Sequence, residues 1–186
     1  MSSLNIYKAA FLDRDGVINR SQLVDGVPKP PKSLSEVEIL DGVIESIQLL
    51  KRCGYIPVVI TNQPDVARGQ AQEKDINTIH SYISSVVRID HFYSCFHDDS
   101  DKCGCRKPAP GLIYKAVEEL QIDLSNSILI GDRWRDIQAG QTAGCKSYFI
   151  DYSYPEKQPE NPFIRVSSLL EAAQLVLRNE NEKRKR

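Results

Sequence analysis

The chain has 186 residues, of which 41% are hydrophobic and 26% charged, which is typical of one globular domain with its own core. Its formal net charge of −1 argues against a nucleic-acid-binding protein, because such proteins usually carry a basic surface. No apolar stretch reaches the roughly 18 residues of a membrane span and no secretory signal precedes the domain, so we expect a cytoplasmic protein that binds no membrane.

Apolar runs and amphipathic stretches alternate along the first half of the chain. Residues 7–12 and 55–60 are predicted as buried strands, with an amphipathic helix over 41–53 between them. Apolar residues at three- and four-residue spacing then predict a helix over 73–88, and residues 91–96 form a third apolar strand.

The second half continues this alternation after a polar loop. Strands are predicted over 127–130 and 146–150, and helices over 110–120 and 134–142. Ser167 is predicted to cap a last helix that ends near Leu177.

Strands separated by helices require crossover connections, which predicts one doubly wound α/β domain with a mainly parallel sheet. We expect this single domain to span residues 1–178, with a disordered, polar and basic tail over 179–186. No inserted segment is long enough to form a large cap domain. In such folds the functional groups lie at the carboxyl ends of the strands.

Polar residues directly follow three of the predicted strands. Asp13 and Asp15 follow the first, and two close carboxylates favour a cation such as Mg²⁺ between them. Thr61 and Asn62 follow the second strand, and Asp132 follows the fourth. Taken singly, each group is explained equally well by a solvated turn or a helix cap.

Two adjacent cations, Arg106 and Lys107, stand just ahead of the helix that begins near Pro110. Such a pair can bind an anion together with the amides of the helix N-terminus. A solvent-exposed charge pair is the alternative interpretation.

In this order, Asp-x-Asp-Gly, Thr, Lys and Gly-Asp-x-x-x-Asp resemble the four motifs of the haloacid dehalogenase superfamily of phosphotransferases, between Phe11 and Asp136. The resemblance implies the Rossmann-like fold of that superfamily. It also implies that Asp13 is a nucleophile that forms an aspartyl-phosphate, and that Asp15 serves as general acid and then as general base.

The same resemblance implies a catalytic magnesium ion and a phosphoryl-binding pair. The expected magnesium ligands are Asp13, Asp132 and the backbone carbonyl of Asp15, with Asp136 beside them. Thr61 and Lys107 would bind the transferring phosphoryl group. Neutralising phosphate charge in this way accounts for most of the catalysis in phosphoryl transfer.

Three cysteines and a histidine lie within eleven residues, and we predict that they bind one structural zinc ion: Cys95, His97, Cys103 and Cys105. The intervening segment has no apolar residue, so metal binding would have to order it. An odd total of five cysteines fits poorly with a disulfide framework. Unrelated cysteine pairs and a disulfide are the alternatives. A closed zinc site would not activate water, but it would fix the position of the two cations that follow Cys105.

Within the superfamily, the Cys-x-His and Cys-x-Cys-Arg-Lys-Pro runs resemble the heptose-bisphosphate phosphatases and the related histidinol-phosphate phosphatases. That resemblance implies substrate contacts by Arg14, Asn62, Arg106 and Arg133. Two features depart from the heptose family: Pro64-Asp65 replaces its usual Ser-Gly, and residues 20–39 form a longer segment.

The two resemblances therefore imply a magnesium-dependent phosphatase that removes the 7-phosphate of a small sugar, a heptose 1,7-bisphosphate. We expect it to be monomeric or weakly oligomeric. Histidinol phosphate is the alternative substrate, for which the carboxylate of Asp65 would suit the amine. A catalytically silent, zinc-stabilised interaction module is the alternative from another class. The five motif residues argue together against that module: Asp13, Asp15, Thr61, Lys107 and Asp132.

Overall fold

The computed structural model describes residues 6–185, which form eight strands and five α-helices. The strands are β1 (Lys8–Leu12), β2 (Gln22–Val24), β3 (Val27–Lys29), β4 (Tyr55–Asn62), β5 (His91–Cys95), β6 (Ile128–Gly131), β7 (Lys146–Ile150) and β8 (Ile164–Val166). The helices are α1 (Val43–Arg52), α2 (Glu73–Val87), α3 (Gly111–Leu120), α4 (Trp134–Ala143) and α5 (Leu169–Arg184). All five predicted strands and five predicted helices are present.

Six strands form one parallel sheet in the order β5-β4-β1-β6-β7-β8. β1 lies at the centre, where Phe11 pairs with Val58 of β4 on one side and Leu129 of β6 on the other. The chain winds outward in both directions from this point. The loops that follow the central strands therefore separate, which leaves a crevice at the carboxyl ends of β1, β4 and β6. The fold therefore brings three of the predicted polar clusters to one place.

Four consecutive apolar residues, 9–12, make up most of β1, because both faces of this strand are buried. Ala10 and Leu12 pack in a layer with α1, α2 and α5, whereas Ala9 and Phe11 pack in the opposite layer with α3 and α4. All four side chains are completely buried. This double packing fixes the strand that carries the residues entering the crevice.

The segment between β1 and α1 forms only a small substructure and not a separate domain. It contains the antiparallel β2–β3 hairpin and one 3₁₀ turn at Leu34–Glu36. No large cap domain is present within residues 6–185, which confirms the prediction. In the same part of the chain, no helix is long and apolar enough to cross a bilayer.

The end of the chain differs from the prediction, because α5 continues to Arg184 where a disordered tail was expected. The carboxylate of Glu180 accepts a hydrogen bond of 2.9 Å from Lys8 Nζ and lies 3.4 Å from the Tyr55 hydroxyl. This ion pair fastens a polar stretch of helix that lacks apolar anchors. The helix also begins one residue later than predicted, since Ser168 is the residue whose hydroxyl caps it.

Candidate active site

A polar cleft of about 300 Å³ opens at the carboxyl ends of β1, β4 and β6. Acidic and basic side chains line it together, among them Asp13, Asp15, Asp132, Asp136, Arg106 and Lys107. Five of the six were predicted as catalytic, metal-binding or phosphate- and substrate-binding residues, and the sixth, Asp136, was expected beside the metal. Strand ends and the loop after the Cys/His cluster thus converge as the sequence predicted.

Lys107 lies buried between two carboxylates at the base of the cleft. Its Nζ donates to Asp13 Oδ1 at 2.7 Å and to the Ile60 carbonyl at 2.8 Å, and it lies 2.6 Å from Asp136 Oδ1. Burial alone would lower the pKa of Lys107, but the two neighbouring carboxylates outweigh it and hold that pKa above its usual value. The site therefore contains a permanent cation.

Asp13 is buried beside that cation. Burial raises the pKa of Asp13 to about 7, opposed by the charge of Lys107 and reinforced by the nearby carboxylates of Asp136 and Asp15. An added cation would favour the ionised form of Asp13, the form that a nucleophile requires.

Asp132 is the carboxylate with unmet bonding capacity. It is 2% exposed, and neither of its oxygens has a hydrogen-bond partner in the described part of the chain. Burial, followed by the charges of Asp13 and Asp136, raises the pKa of Asp132 well above its usual value. Gly16 permits this placement, because a Cβ at that position would collide with the Asp132 carboxylate.

The carboxylates of Asp13, Asp132 and Asp136 place oxygens within 4.8 Å of one another. Asp136 is already engaged, since its oxygens pair with Lys107 and accept from the Arg133 backbone at 2.9 Å. Asp132 is left with free oxygens, one of which lies within 4.8 Å of an Asp13 oxygen. Hard oxygen donors of this kind fit a magnesium ion.

Asp15 is held by four hydrogen bonds. Arg14 donates to it through Nε (3.1 Å) and Nη2 (2.9 Å), Asn19 through Nδ2 (2.9 Å) and Gln63 through Nε2 (2.8 Å). The side chain still reaches the cleft. These donors fix the orientation of the carboxylate that the sequence predicted as the acid and base.

Arg14 does not reach the cleft, so its predicted contact with substrate is wrong. Its side chain is completely buried, and its Nη1 lies 3.1 Å from His80 Nε2 of α2. Burial, and then the charge of Arg14, lower the pKa of His80 to about 4. The imidazole is therefore neutral and accepts from Arg14, which in turn orients Asp15.

Asn62 and Thr61 occupy different positions at the end of β4. The Asn62 side chain pairs with the backbone of Lys107 in both directions, each bond 3.1 Å long, and it lines the cleft. Thr61 is buried, and its hydroxyl accepts from Gln63 Nε2 at 2.9 Å. Gln63, which the sequence did not single out, thus links Thr61 to Asp15.

Further out in the cleft, arginines pair with acidic side chains. Arg106 and Arg135 both bind the carboxylate of Asp99, and Arg133 binds Glu156. Arg106 and Arg133 line the cleft as predicted. Arg135 also lines it, although its 36-residue separation from Asp99 hid this contact in the sequence.

The four predicted zinc ligands lie together beside the cleft. Sγ–Sγ distances among Cys95, Cys103 and Cys105 are 3.1, 3.4 and 3.6 Å, and His97 Nδ1 lies 3.3 Å from Cys105 Sγ and 3.5 Å from Cys95 Sγ. A tetrahedral zinc ion separates its ligand atoms by roughly 3.5–3.8 Å. All five cysteines lie in the described range as free thiols. The donor set fits zinc. Two of the five distances, 3.5 and 3.6 Å, lie in the tetrahedral range, and the other three are shorter, so binding the ion would move those ligand atoms slightly apart.

Comparison with known proteins places the chain in a family. The model of the haloacid dehalogenase-like hydrolases matches residues 31–144, more than half of the chain. A D-glycero-beta-D-manno-heptose-1,7-bisphosphate 7-phosphatase of Helicobacter pylori is 34% identical over 93% of this chain and 99% of its own. A D-glycero-alpha-D-manno-heptose-1,7-bisphosphate 7-phosphatase of Photorhabdus laumondii is 31% identical over 92% and 98%.

Among solved structures, the D,D-heptose 1,7-bisphosphate phosphatase of B. bronchiseptica, complexed with magnesium and phosphate, superposes with a TM-score of 0.81. It is 28% identical, and the match covers 92% of this chain and 99% of that one. The fold, the motif residues brought together in the cleft and these relatives agree: the chain belongs to the haloacid dehalogenase-like hydrolase family.

Proposed function

We propose that the chain is a magnesium-dependent phosphomonoester hydrolase that acts through an aspartyl-phosphate on Asp13. The observation that best supports this proposal is the pairing of buried Asp13 with Lys107, next to the unpartnered carboxylate of Asp132. A silent interaction module would have no use for such an arrangement, because an unpartnered buried carboxylate destabilises the fold.

The chain's own residues divide the reaction into two steps. The Asp13 carboxylate attacks phosphorus as the bond to the sugar oxygen breaks, and protonated Asp15 gives its proton to that oxygen. Asp15 then takes a proton from a water molecule that attacks the aspartyl-phosphate, which releases phosphate and restores Asp13. Arg14, Asn19 and Gln63 keep Asp15 oriented in both steps.

Asp13, Asp132 and the backbone carbonyl of Asp15 would hold magnesium, which when bound neutralises charge on the phosphoryl oxygens. Lys107, fixed by the Ile60 carbonyl and by Asn62 on its backbone, contributes a second positive charge. Thr61 stays a predicted phosphoryl contact. Its hydroxyl is buried and bonded to Gln63.

For the substrate, we propose a heptose 1,7-bisphosphate that loses its 7-phosphate. The relatives named above carry that activity in their names, for both anomers. A polar cleft of about 300 Å³ suits a small sugar, and Arg106, which lines the cleft together with Asp13, is a cation available to a second phosphate. The β2–β3 hairpin contributes Val27, Pro28 and Lys29 to the wall.

Histidinol phosphate fits the cleft less well. Its amine would need a free carboxylate, and Asp65 was the candidate in the sequence. Asp65 lines the cleft, but its Oδ1 lies 3.4 Å from Arg68 Nη1, so part of its charge is already compensated. The arginines nearby would repel a cationic amine.

We also propose that the Cys/His cluster holds a structural zinc ion, with no open position for substrate. Free thiols at all five cysteines support this and accord with a reducing, cytoplasmic location. Cys105 directly precedes Arg106 and Lys107. Fixing Cys105 would therefore fix both cations.

Steady-state kinetics on the two candidate substrates test the proposal. We expect kcat/KM for heptose 1,7-bisphosphate to exceed that for histidinol phosphate by at least about tenfold, or about 1.4 kcal/mol of transition-state binding. Asp13→Asn should abolish turnover of both compounds without unfolding the protein. A preference for histidinol phosphate would overturn the substrate, and an active Asp13→Asn enzyme would overturn the covalent mechanism.

A further inference from the structure

The carboxylate of Asp99, in the loop between the two Cys/His pairs, forms ion pairs with two arginines of the cleft. Asp99 Oδ1 accepts from Arg106 Nε at 2.8 Å and from Arg135 Nη1 at 3.0 Å, and Asp99 Oδ2 accepts from Arg135 Nη2 at 3.3 Å. All three residues line the cleft. The side chain of Asp99 is 55% exposed, so it can leave by rotating into solvent.

The two guanidinium groups do not depend on Asp99 for their positions. Arg106 Nη1 also donates to the His97 carbonyl at 3.3 Å, and Arg135 Nη1 reaches the Lys107 carbonyl at 3.5 Å. The neighbouring Asp98 cannot replace Asp99, because Arg68 binds both of its oxygens, at 2.7 and 2.9 Å. Removing Asp99 would thus leave two oriented arginines without an anion.

We propose that Asp99 is a built-in competitor for the anionic group of the substrate that does not react. In the free protein its carboxylate fills the Arg106–Arg135 pair, and the distal phosphate of a bisphosphate displaces it. This inference rests on the proposed function, which supplies a substrate with two phosphates. A phosphate dianion forms stronger charge-assisted bonds with arginine than a carboxylate does, so it can win the competition.

Two consequences follow for specificity. A sugar with one phosphate, bound by that group at Asp13, has nothing with which to displace Asp99, and it gains no binding energy from the two arginines. After the reaction, Asp99 competes with the phosphate that stays on the product, which favours product release. Asp99 would weaken binding in exchange for selectivity and turnover.

The chain has one tryptophan, which lies beside this arginine pair. The guanidinium carbon of Arg135 lies 4.9 Å from the centre of the Trp134 ring. A change of anion on Arg135 should therefore change the fluorescence of Trp134. This gives a binding measurement that needs no turnover and no knowledge of the sugar.

The experiment titrates magnesium-free protein with inorganic phosphate and follows Trp134 fluorescence. We expect Asp99→Asn to bind phosphate at least about tenfold more tightly than the wild type, because the competing charge is gone. Adding Arg135→Gln should remove that gain, which separates this subsite from the Lys107 region. Because this change also removes the cation beside Trp134, phosphate affinity is measured by isothermal titration calorimetry as well. Asp90→Asn, an exposed change at the amino end of β5 outside the cleft, is the matched control and should behave as wild type.

Zinc content verifies that each variant keeps the loop intact. Equal phosphate affinity in wild type and Asp99→Asn would overturn the inference, as would a gain that survives Arg135→Gln, since the anion would then bind elsewhere. If the affinity gain is found but heptose bisphosphate is a poor substrate, only the proposed sugar is wrong. With a bisphosphate substrate, Asp99→Asn should lower KM and strengthen inhibition by the monophosphate product.

Discussion

At the scale of single residues, the site is a cluster of three buried carboxylates around one lysine. Lys107 bonds to Asp13 and Asp136, which leaves Asp132 without a partner among the described residues. Charge repulsion and burial both act against the ionised form of Asp132. Such a cluster stores unfavourable energy in the metal-free protein, and a bound cation would relieve it.

Asp132→Asn should have opposite effects on stability and on metal binding. The amide keeps the shape but removes the charge, so the free energy of unfolding without magnesium should rise by about 1–3 kcal/mol. Excess magnesium should raise the melting temperature of the wild type but not that of the variant. Unfolding with and without magnesium measures both effects, with Asp90→Asn as control. A destabilised variant that still responds to magnesium would contradict the assignment.

The sequence located the residues proposed to perform chemistry better than the residues that orient them. Asp13, Thr61 and Asp132 could be placed because each ends an apolar strand, and parallel strands end on one edge. Arg14 was misplaced, since no local pattern shows that the turn after β1 sends its side chain toward α2. His80 carries no local signal for a related reason, because its partner Arg14 lies 66 residues away in the sequence.

At the scale of elements, residues 98–102 of the loop after β5 contain no apolar side chain. Its 3₁₀ turn at Asp99–Asp101 is held by a capping box, in which Asp98 and Asp101 bond each other's backbone. Those bonds are exposed and stabilise only weakly. Order in this loop therefore depends on the ion pairs that Asp98 and Asp99 form with arginines and on the proposed zinc ion, which would join the Cys/His pairs at its two ends.

We predict about one zinc ion per chain, lost in Cys103→Ser. Loss of the ion should loosen residues 95–105, raise hydrogen exchange there and raise KM more than it lowers kcat, since Arg106 would lose its position. Elemental analysis of protein purified without chelator, followed by exchange and kinetics, measures this. Cys145→Ala, in a buried cysteine outside the cluster, should retain zinc. Zinc far below one equivalent in the wild type would reject the site.

The β2–β3 hairpin shows what could have been found in the sequence and was not. Its turn is Asp25-Gly26, with φ values of 51° and 75°, and an Asp-Gly pair between short apolar stretches favours such a hairpin. The three-residue β8 carried no comparable pattern. It is an edge strand fixed by pairing with β7, a contact that only the folded chain provides.

At the scale of the whole molecule, the alternation of strands and helices was enough to predict the fold class. The order of the strands was not predictable in the same way, because it depends on which layer each helix covers. The last turns of α5 could not be predicted as helix from the sequence either. They are polar, and a contact with Lys8 at the opposite end of the chain keeps them helical. Long-range ion pairs of this kind leave no periodic pattern.

The link from His80 through Arg14 to Asp15 joins α2 to the cleft, and it should make the stability of the whole molecule depend on pH. The pKa of His80 is lowered to about 4, against 6.5 ordinarily. On acidification the unfolded chain therefore takes up this proton first, and stability falls between about pH 6.5 and pH 4. From pH 7 to pH 5 the loss should be about 2 kcal/mol.

Asp13 and Asp132 act in the opposite direction, because burial raises their pKa values and protonation on acidification relieves that cost. The measurement is therefore a difference between two proteins. His80→Gln keeps an acceptor for Arg14 without a titrating group, so urea unfolding at pH 7 and pH 5 should show the wild type losing about 2 kcal/mol more than this variant. Equal losses would mean that His80 becomes protonated in the folded state, and that Arg14 is not held by a neutral imidazole.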